Sequence, residues 1–245
     1  MAIDFYRYSY KIAEQDGNIE KYRASREENR RCAEYIQHPE TGLYANAYKD
    51  YVVDKGGIYL DKCINEFGME RMMFVIADTV KMSKHDGRWS PEVKEWAKSF
   101  MQTHTSECSD CYLSQIQVGV VNILAKEIIE KYNSLNLFSD KHCLDKSVDM
   151  EGKVIVLNHM SMKEEYWKPE YQLWLATGGF GCSPTSSGRA VYATCLYDGE
   201  RSRWNREKVL GVLKDEYLPD WAREKLEEIQ NTEPEEEQTG EMKLN

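Results

Sequence analysis

The sequence predicts an α+β fold, with a mostly helical N-terminal domain and a smaller C-terminal antiparallel β/α module. Three observations predict it. Apolar residues recur at helical spacing through most of the first 135 residues. After residue 150, short β-branched segments alternate with turns, and the Asp198-Gly199 pair is typical of a tight hairpin turn. Apolar residues at helical spacing over 219–229 then predict a closing helix.

The helical domain begins with a predicted N-cap at Asp4 and is divided by glycine-containing breaks. Gly68 is suited to the position just after a helix. Charged residues in the second helix are expected to face solvent as ion pairs, and a basic surface for nucleic acid is the alternative. The predicted helices are 4–14, 19–37, 43–54, 58–67, 69–82, one starting at Ser90, and 111–133.

Two of these helices have specific sequence support. Met69–Met82 is apolar on most of its circumference, which predicts a buried central helix. A buried strand over Met72–Ala77 is the alternative, because short apolar runs suit both structures. Ser90-Pro91-Glu92 combines a capping serine, a proline at the first helical position and an acid in the first turn.

The C-terminal module is predicted to contain short strands followed by the closing helix. The strands are expected at 153–157, 190–196, 201–204 and 209–213, while 171–176 fits either a strand or a short helix. The domain boundary is placed in a polar, aperiodic stretch. The predicted organisation is a helical domain at 1–135, a linker at 136–150, a small α+β module at 151–231 and an acidic disordered tail at 232–245.

Composition indicates a globular cytoplasmic protein. Apolar residues make up 41% and charged residues 30%, and the longest apolar run, Met72–Ala77, is far shorter than a membrane span. No secretory signal is visible at the start, and we expect no membrane association. The seven cysteines are scattered and odd in number, which favours reduced thiols over a disulfide framework.

The net charge of −10 is concentrated near the C-terminus. Residues 224–245 contain eight acidic residues and two lysines. The rest of the chain is nearly balanced, so a strongly basic nucleic-acid-binding protein is disfavoured.

The stretch Thr177–Arg189 is the strongest candidate for a binding site. Its clustered glycines would let backbone amides converge on an anion, and its hydroxyls and arginine could add contacts. The alternative is a surface turn with solvated hydroxyls. The candidate anion-binding residues are Gly178, Gly179, Gly181, Ser183, Thr185, Ser187 and Arg189.

Three weaker candidates lie elsewhere. Arg201, Arg203 and Arg206 could contact the phosphates of a nucleic acid. Cys182 could act as a nucleophile with His159 as its base, although no orienting carboxylate is evident. The last candidate is a structural zinc site, with two independent reduced thiols as the alternative; its ligands would be His104, Cys108, Cys111 and Cys143.

Two N-terminal blocks resemble a known family. They are Tyr6–Glu14 with Tyr22–Asn29, and Phe67–Arg71 with Val75–Val80, Asp86–Arg88 and Lys94–Ala97. Together these blocks, over about 5–100, resemble a domain-of-unknown-function family of plasmid and conjugative-element proteins from gram-positive gut bacteria. The Gly-rich segment from Gln172 resembles a segment of similar mobile-element proteins. The resemblance implies a mobile-element accessory protein and supplies no catalytic residues.

Two functions are therefore expected. The first is a non-enzymatic anti-defence inhibitor, of CRISPR or restriction systems, that binds a host defence nuclease or another nucleic-acid enzyme. The acidic balance favours this function, because basic protein clefts attract acidic partners. The alternative is a nucleic-acid- or nucleotide-binding protein that uses the loop 177–189 and nearby arginines. The absence of a recognised catalytic motif favours a non-enzymatic protein and leaves an enzymatic role open.

Overall fold

The computed structural model describes residues 3–37, 56–106, 112–114, 118–145 and 147–232. The chain divides into two compact units, Met1–Ser134 and Leu135–Asn245. The first unit is helical and the second contains a five-stranded antiparallel sheet. The α+β prediction is confirmed.

Six helices form in the described part of the N-terminal half. Their bounds follow the sequence pattern closely at most positions, and the last of them ends at Leu135, the first residue of the second unit. They are α1 (Tyr10–Gln15), α2 (Ile19–Gln37), α3 (Gly56–Phe67), α4 (Met69–Met82), α5 (Pro91–Thr103) and α6 (Val118–Leu135). The helix predicted at 43–54 lies outside the described residues.

The central helix α4 is buried, as its sequence predicts. Every residue from Met69 to Val80 is buried, and the run Met72–Ala77 is helical rather than extended. Gly68 precedes it with a φ of 84°, a left-handed conformation that favours glycine. At α5, the Ser90 hydroxyl accepts a hydrogen bond from the Val93 amide at 3.4 Å, so the predicted cap is present.

The start of α1 differs from the prediction. Residues 3–7 are not helical, and the helix begins at Tyr10 rather than near Asp4. Long-range hydrogen bonds hold this segment: the Tyr6 amide donates to Ser25 Oγ at 2.8 Å, and the Arg7 carbonyl accepts from the Ser106 amide at 2.9 Å. These bonds replace the local bonds that a helix would have formed.

The start of α6 also differs. The prediction began at residue 111, whereas the helix begins at Val118. Leu113 is buried, and its amide donates to the Thr79 hydroxyl at 2.9 Å. This contact with α4 requires a non-helical segment at 112–114.

A buried polar network joins the N-terminal segment to α4. The Arg71 side chain is 2% exposed and donates to Asn29 Oδ1, the Phe67 carbonyl and the Ile3 carbonyl at 2.7–3.1 Å. Beside it, Arg7 forms an ion pair with the buried Glu70. Buried polar groups are tolerated when their hydrogen bonds are satisfied, so this network ties the helices to the first residues of the chain.

Asp78 on α4 is buried, and this burial raises the pKa of its carboxyl to about 6, partly offset by Lys81. The unfolded chain releases this proton near pH 3.8, so the folded state binds it more tightly. Raising the pH from about 4 to about 7 therefore costs the wild-type chain stability. We expect Asp78→Asn to remove this cost and to stabilise the unit at pH 7 by about 2–3 kcal/mol.

Urea denaturation of wild type and Asp78→Asn at pH 4.5 and pH 7 checks this prediction. The stability difference between the two proteins should be larger at pH 7. A difference that does not change with pH would contradict the raised pKa.

The sheet of the second unit has the strand order β4-β3-β2-β1-β5, and all neighbours are antiparallel. Its strands are β1 (Val154–Leu157), β2 (Leu173–Gly178), β3 (Ala190–Cys195), β4 (Arg201–Asn205) and β5 (Val209–Val212). The segment predicted as strand or short helix contains both, because a 3-10 turn at Pro169–Gln172 precedes β2.

Both faces of the central strand β1 are buried, which explains its uninterrupted apolar sequence. Ile155 and Leu157 join a core with Trp174 and Val191. Val154 and Val156 face a second core that includes Ala222 from the closing helix α7 (Asp220–Thr232). The predicted tail beyond residue 232 lies outside the described residues.

The stretch predicted as a linker, 136–150, belongs instead to the second unit. Phe138 and Cys143 are buried in its core, and Cys143 forms an isolated bridge with Leu213. The buried Gln172 side chain accepts from the Phe138 amide at 3.1 Å and donates to the Phe138 carbonyl at 3.2 Å. A polar, aperiodic sequence can pack in this way because tertiary hydrogen bonds replace those of regular structure.

Among the described residues, no helix has the length and apolar character needed to cross a membrane.

Candidate functional site

The loop between β2 and β3 folds back on itself, and its glycines make this possible. A Cβ at Gly179, whose φ is 103°, would lie 2.5 Å from the Ala190 carbonyl oxygen. A Cβ at Gly188 would lie 2.4 Å from the Cβ of Phe180. Side chains at either position would therefore collide with neighbouring segments of the same loop.

Two of the loop amides are engaged within the fold. The Gly181 amide donates to the Ala190 carbonyl at 2.7 Å, and the Cys182 amide donates to the Gly179 carbonyl at 2.9 Å. Gly181 and Cys182 are themselves buried. These two amides therefore hold the loop closed instead of facing a bound anion.

Arg206 also holds the loop. Its guanidinium donates to the carbonyl oxygens of Gly181 and Cys182, the latter at 2.8 Å, and its backbone amide donates to the Arg189 carbonyl at 2.8 Å. Arg206 was predicted to contact nucleic acid. In the structure its side chain is bonded to the loop backbone and helps to hold the loop closed. Contact of Arg206 with nucleic acid stays a prediction.

The remaining loop candidates lie towards solvent. Ser183 and Thr185 approach each other through their hydroxyl oxygens at 3.2 Å, and Thr185 and Ser187 are exposed. Gly178 ends β2 with a φ of 151°. Arg189 is exposed and lies 3.7 Å from the equally exposed Glu207, which is a weakly held ion pair.

An open cleft of about 490 Å³ lies where this loop meets the end of the β3–β4 hairpin. Its lining combines two cations, two aromatic rings and an amide. The lining residues are Phe180, Gly188, Arg189, Ala190, Arg203, Trp204 and Asn205. Of the loop and arginine candidates, the structure brings only Arg189 and Arg203 together at this cleft.

Phe180 is the most exposed large hydrophobic side chain in the described residues, at 79%. An exposed phenylalanine of this size beside arginines is unusual, because burial normally stabilises such a ring by about 1.5–3 kcal/mol. The neighbouring Tyr192 is 51% exposed and pairs with Arg203 across the β3–β4 ladder. Exposed aromatic and cationic side chains therefore occur together on this part of the surface.

The strand β4 orients its arginines by simple alternation. Arg201, Arg203 and Asn205 are exposed, whereas Ser202 and Trp204 are half-buried. Within the described ranges, neither Arg201 nor Arg203 has an ion-pair partner. The Trp204 ring packs edge-on against Trp174 at 5.1 Å, and its indole N–H has no acceptor among the described residues.

The arrangement around Cys182 does not favour a nucleophile. The thiol is 1% exposed and donates to the Gly178 carbonyl at 3.1 Å. Burial raises the pKa of Cys182, with Glu151 and Asp149 adding to the effect. His159 is fully buried, and this burial lowers the pKa of its imidazole. A reactive thiolate requires the opposite environment.

The structure describes two of the four zinc candidates, one in each unit. His104 is buried in the first unit, where Nδ1 lies 2.9 Å from the Phe100 carbonyl oxygen and Nε2 lies 3.0 Å from Glu70 Oε1. Cys143 belongs to the second unit, and Cys108 and Cys111 lie outside the described residues. In the part of the chain that the structure describes, no three His, Cys, Asp or Glu side chains are placed to hold a metal ion. The zinc site stays a prediction.

Comparison with known proteins gives a family match for the helical unit and none for the part of the chain that contains the cleft. A family model described as a protein of unknown function (DUF3849) matches residues 5–133. No curated protein and no solved structure matches the chain. The cleft residues, between Phe180 and Asn205, lie beyond the matched segment.

Proposed function

The chain belongs to the DUF3849 family of proteins of unknown function, and we propose that its second unit binds single-stranded nucleic acid at the cleft beside Phe180. One observation carries the proposal. The exposed Phe180 ring and the arginines Arg189 and Arg203 line the same open cleft.

These side chains match the two chemical parts of a single strand. Arginine guanidinium groups bind phosphate oxygens in a planar, bidentate geometry. An exposed aromatic ring stacks on a base without selecting its sequence, which contributes about 1–3 kcal/mol per base. Tyr192, which is 51% exposed and lies opposite Arg203 in the β3–β4 ladder, adds a second aromatic ring beside the cleft.

The size of the cleft and the net charge of the whole chain are consistent with weak, local binding. The cleft volume of about 490 Å³ falls in the range of small-molecule pockets, about 300–1,000 Å³. The whole chain carries a net charge of −10, which repels a polyanion at long range. Binding therefore depends on the local arginines and should weaken steeply with salt.

Anisotropy titrations with fluorescent oligo-dT and oligo-U 12-mers at 50 and 200 mM salt test the proposal. We expect Phe180→Ala to weaken binding by about 5- to 150-fold, through lost stacking. Arg203→Ala should weaken it and lower the salt slope by about one, because one phosphate contact is lost. A labelled mononucleotide distinguishes a strand site from a nucleotide site.

Arg23→Ala is the matched control, since Arg23 is an exposed arginine of the first unit. It should leave binding unchanged. No binding at 50 mM salt, or equal binding by wild type and Phe180→Ala, would rule out this site.

An anti-defence role on a mobile element is the second candidate, and the charge distribution favours it. We propose that this chain is a mobile-element accessory protein. It would inhibit a host CRISPR or restriction nuclease by occupying the basic cleft of that nuclease. Eight acidic residues against two lysines in 224–245 supply the complementary charge. Pull-downs of purified CRISPR effectors and restriction enzymes at several salt concentrations test it; failure to capture any at low salt would argue against it.

A further inference from the structure

Four aromatic side chains form a continuous ladder on the second unit, away from the cleft. Tyr166 packs on Tyr171 at 5.1 Å, Tyr171 on Tyr197 at 5.2 Å, and Tyr197 on Trp221 at 6.3 Å. All three contacts are edge-to-face, so each covers only part of a ring. Tyr197 is 50% exposed, and the other three rings are partly exposed.

Four carboxylates lie near this aromatic ladder in the sequence. Each lies within three residues of a ladder residue in the sequence, and none forms an ion pair within the described ranges. They are Glu170, Asp198, Glu200 and Asp220. The pKa of Tyr171 is raised by burial and by the charge of Asp198, which places that carboxylate close to the ladder. The cations within three residues of the ladder in sequence are Lys163, Lys168 and Arg223. Lys163 pairs with Glu165, and Arg223 donates to the carbonyl oxygens of Asp215 and Leu218.

The ladder and the cleft lie at opposite ends of the β3–β4 hairpin. Tyr197–Glu200 forms its turn, whereas Arg189 and Asn205 lie at its open end. A six-residue strand separates the two ends by about 20 Å. The two surfaces are therefore distinct. Two arginines line the cleft, whereas acidic residues outnumber basic residues near the ladder in sequence.

We infer that the aromatic ladder is a docking surface for an arginine-rich segment of a partner protein. Tyrosine and tryptophan rings attract guanidinium groups through their faces, and arginine stacks on them better than lysine does. The four carboxylates would pair with the same cations and exclude acidic partners. This inference does not depend on nucleic-acid binding at the cleft.

The test uses two fluorescent nonapeptides, one alternating Arg and Gly and one alternating Lys and Gly, with the full-length protein at 50 mM salt. The arginine peptide should bind at least about threefold more tightly than the lysine peptide, because only arginine stacks. Tyr197→Ala and Glu200→Gln should each weaken binding of the arginine peptide by about three- to tenfold.

Three controls separate the ladder from other sources of binding. Tyr112→Ala replaces a similarly exposed tyrosine of the first unit and should have no effect. Arg203→Ala should not weaken peptide binding, which distinguishes this surface from the cleft. The third control is a full-length variant that carries glutamine at five acidic positions near the C-terminus, and it should retain the arginine-over-lysine preference. These positions are Glu233, Glu235, Glu236, Glu237 and Glu241.

Loss of peptide binding in the glutamine variant, with Tyr197→Ala unchanged, would assign the binding to the acidic terminus and overturn the inference. Absence of peptide binding, or equal affinity for both peptides, would also overturn it. A circular dichroism spectrum matching that of the wild type confirms that Tyr197→Ala is folded. Glu200→Gln preserves the shape of the side chain and provides a second, independent test of the same surface.

Discussion

Replacing Arg71 with methionine should destabilise the helical unit by about 3–5 kcal/mol. Methionine fills much of the same space, so the loss reflects hydrogen bonding more than a cavity. The change removes the donor of two buried acceptors, Asn29 Oδ1 and the Phe67 carbonyl oxygen, and of the part-buried Ile3 carbonyl oxygen. Each buried acceptor that loses its donor costs about 1–3 kcal/mol.

Amide hydrogen exchange across α4, together with urea denaturation, measures this effect. Arg71→Lys keeps the charge but cannot reach three acceptors in a planar geometry, so it should recover only part of the stability. Arg30→Ala removes an exposed arginine from α2 and should leave exchange in α4 unchanged. Wild-type stability in Arg71→Met would show that the network contributes little.

Replacing Gly179 with alanine should destabilise the second unit by about 2–4 kcal/mol and disrupt the cleft. Two costs combine at this position. Its φ of 103° is strained for any residue with a Cβ, and that Cβ would lie 2.5 Å from the Ala190 carbonyl oxygen. Ala190 lines the cleft next to Arg189, so a shift there moves the proposed nucleic-acid contacts.

Gly152→Ala separates the two costs. Gly152 has a φ of 70° and open space around its missing Cβ, so only the conformational cost of about 1–2 kcal/mol applies. Amide exchange in β3 and oligo-dT binding report the outcome for each variant. Equal losses in Gly179→Ala and Gly152→Ala would show that the contact with Ala190 has no energetic role.

Only part of the candidate site was predicted from the sequence. The loop 177–189 was identified from its glycines, hydroxyls and arginine, and Arg203 from its charge. Phe180 lies within that loop and no role was predicted for it, although an aromatic residue between glycines is a usable signal. The alternation in Arg201–Asn205 could also have placed Arg203 and Asn205 on one face. The closure of the loop by Arg206 depends on contacts about 25 residues apart in sequence, which no local pattern encodes.

The sequence by itself determined the α+β class, the buried helix α4, the cap of α5 and the order of the strands along the chain. These features arise from periodicity, capping and turn chemistry, which act between near neighbours. Only the tertiary structure decided that residues 3–7 are not helical, that 136–145 pack into the second unit, and that Phe180 meets Arg203 at a cleft. Each depends on hydrogen bonds or packing between segments that are distant in sequence. The energies of these contacts exceed the local conformational preferences that the contacts override.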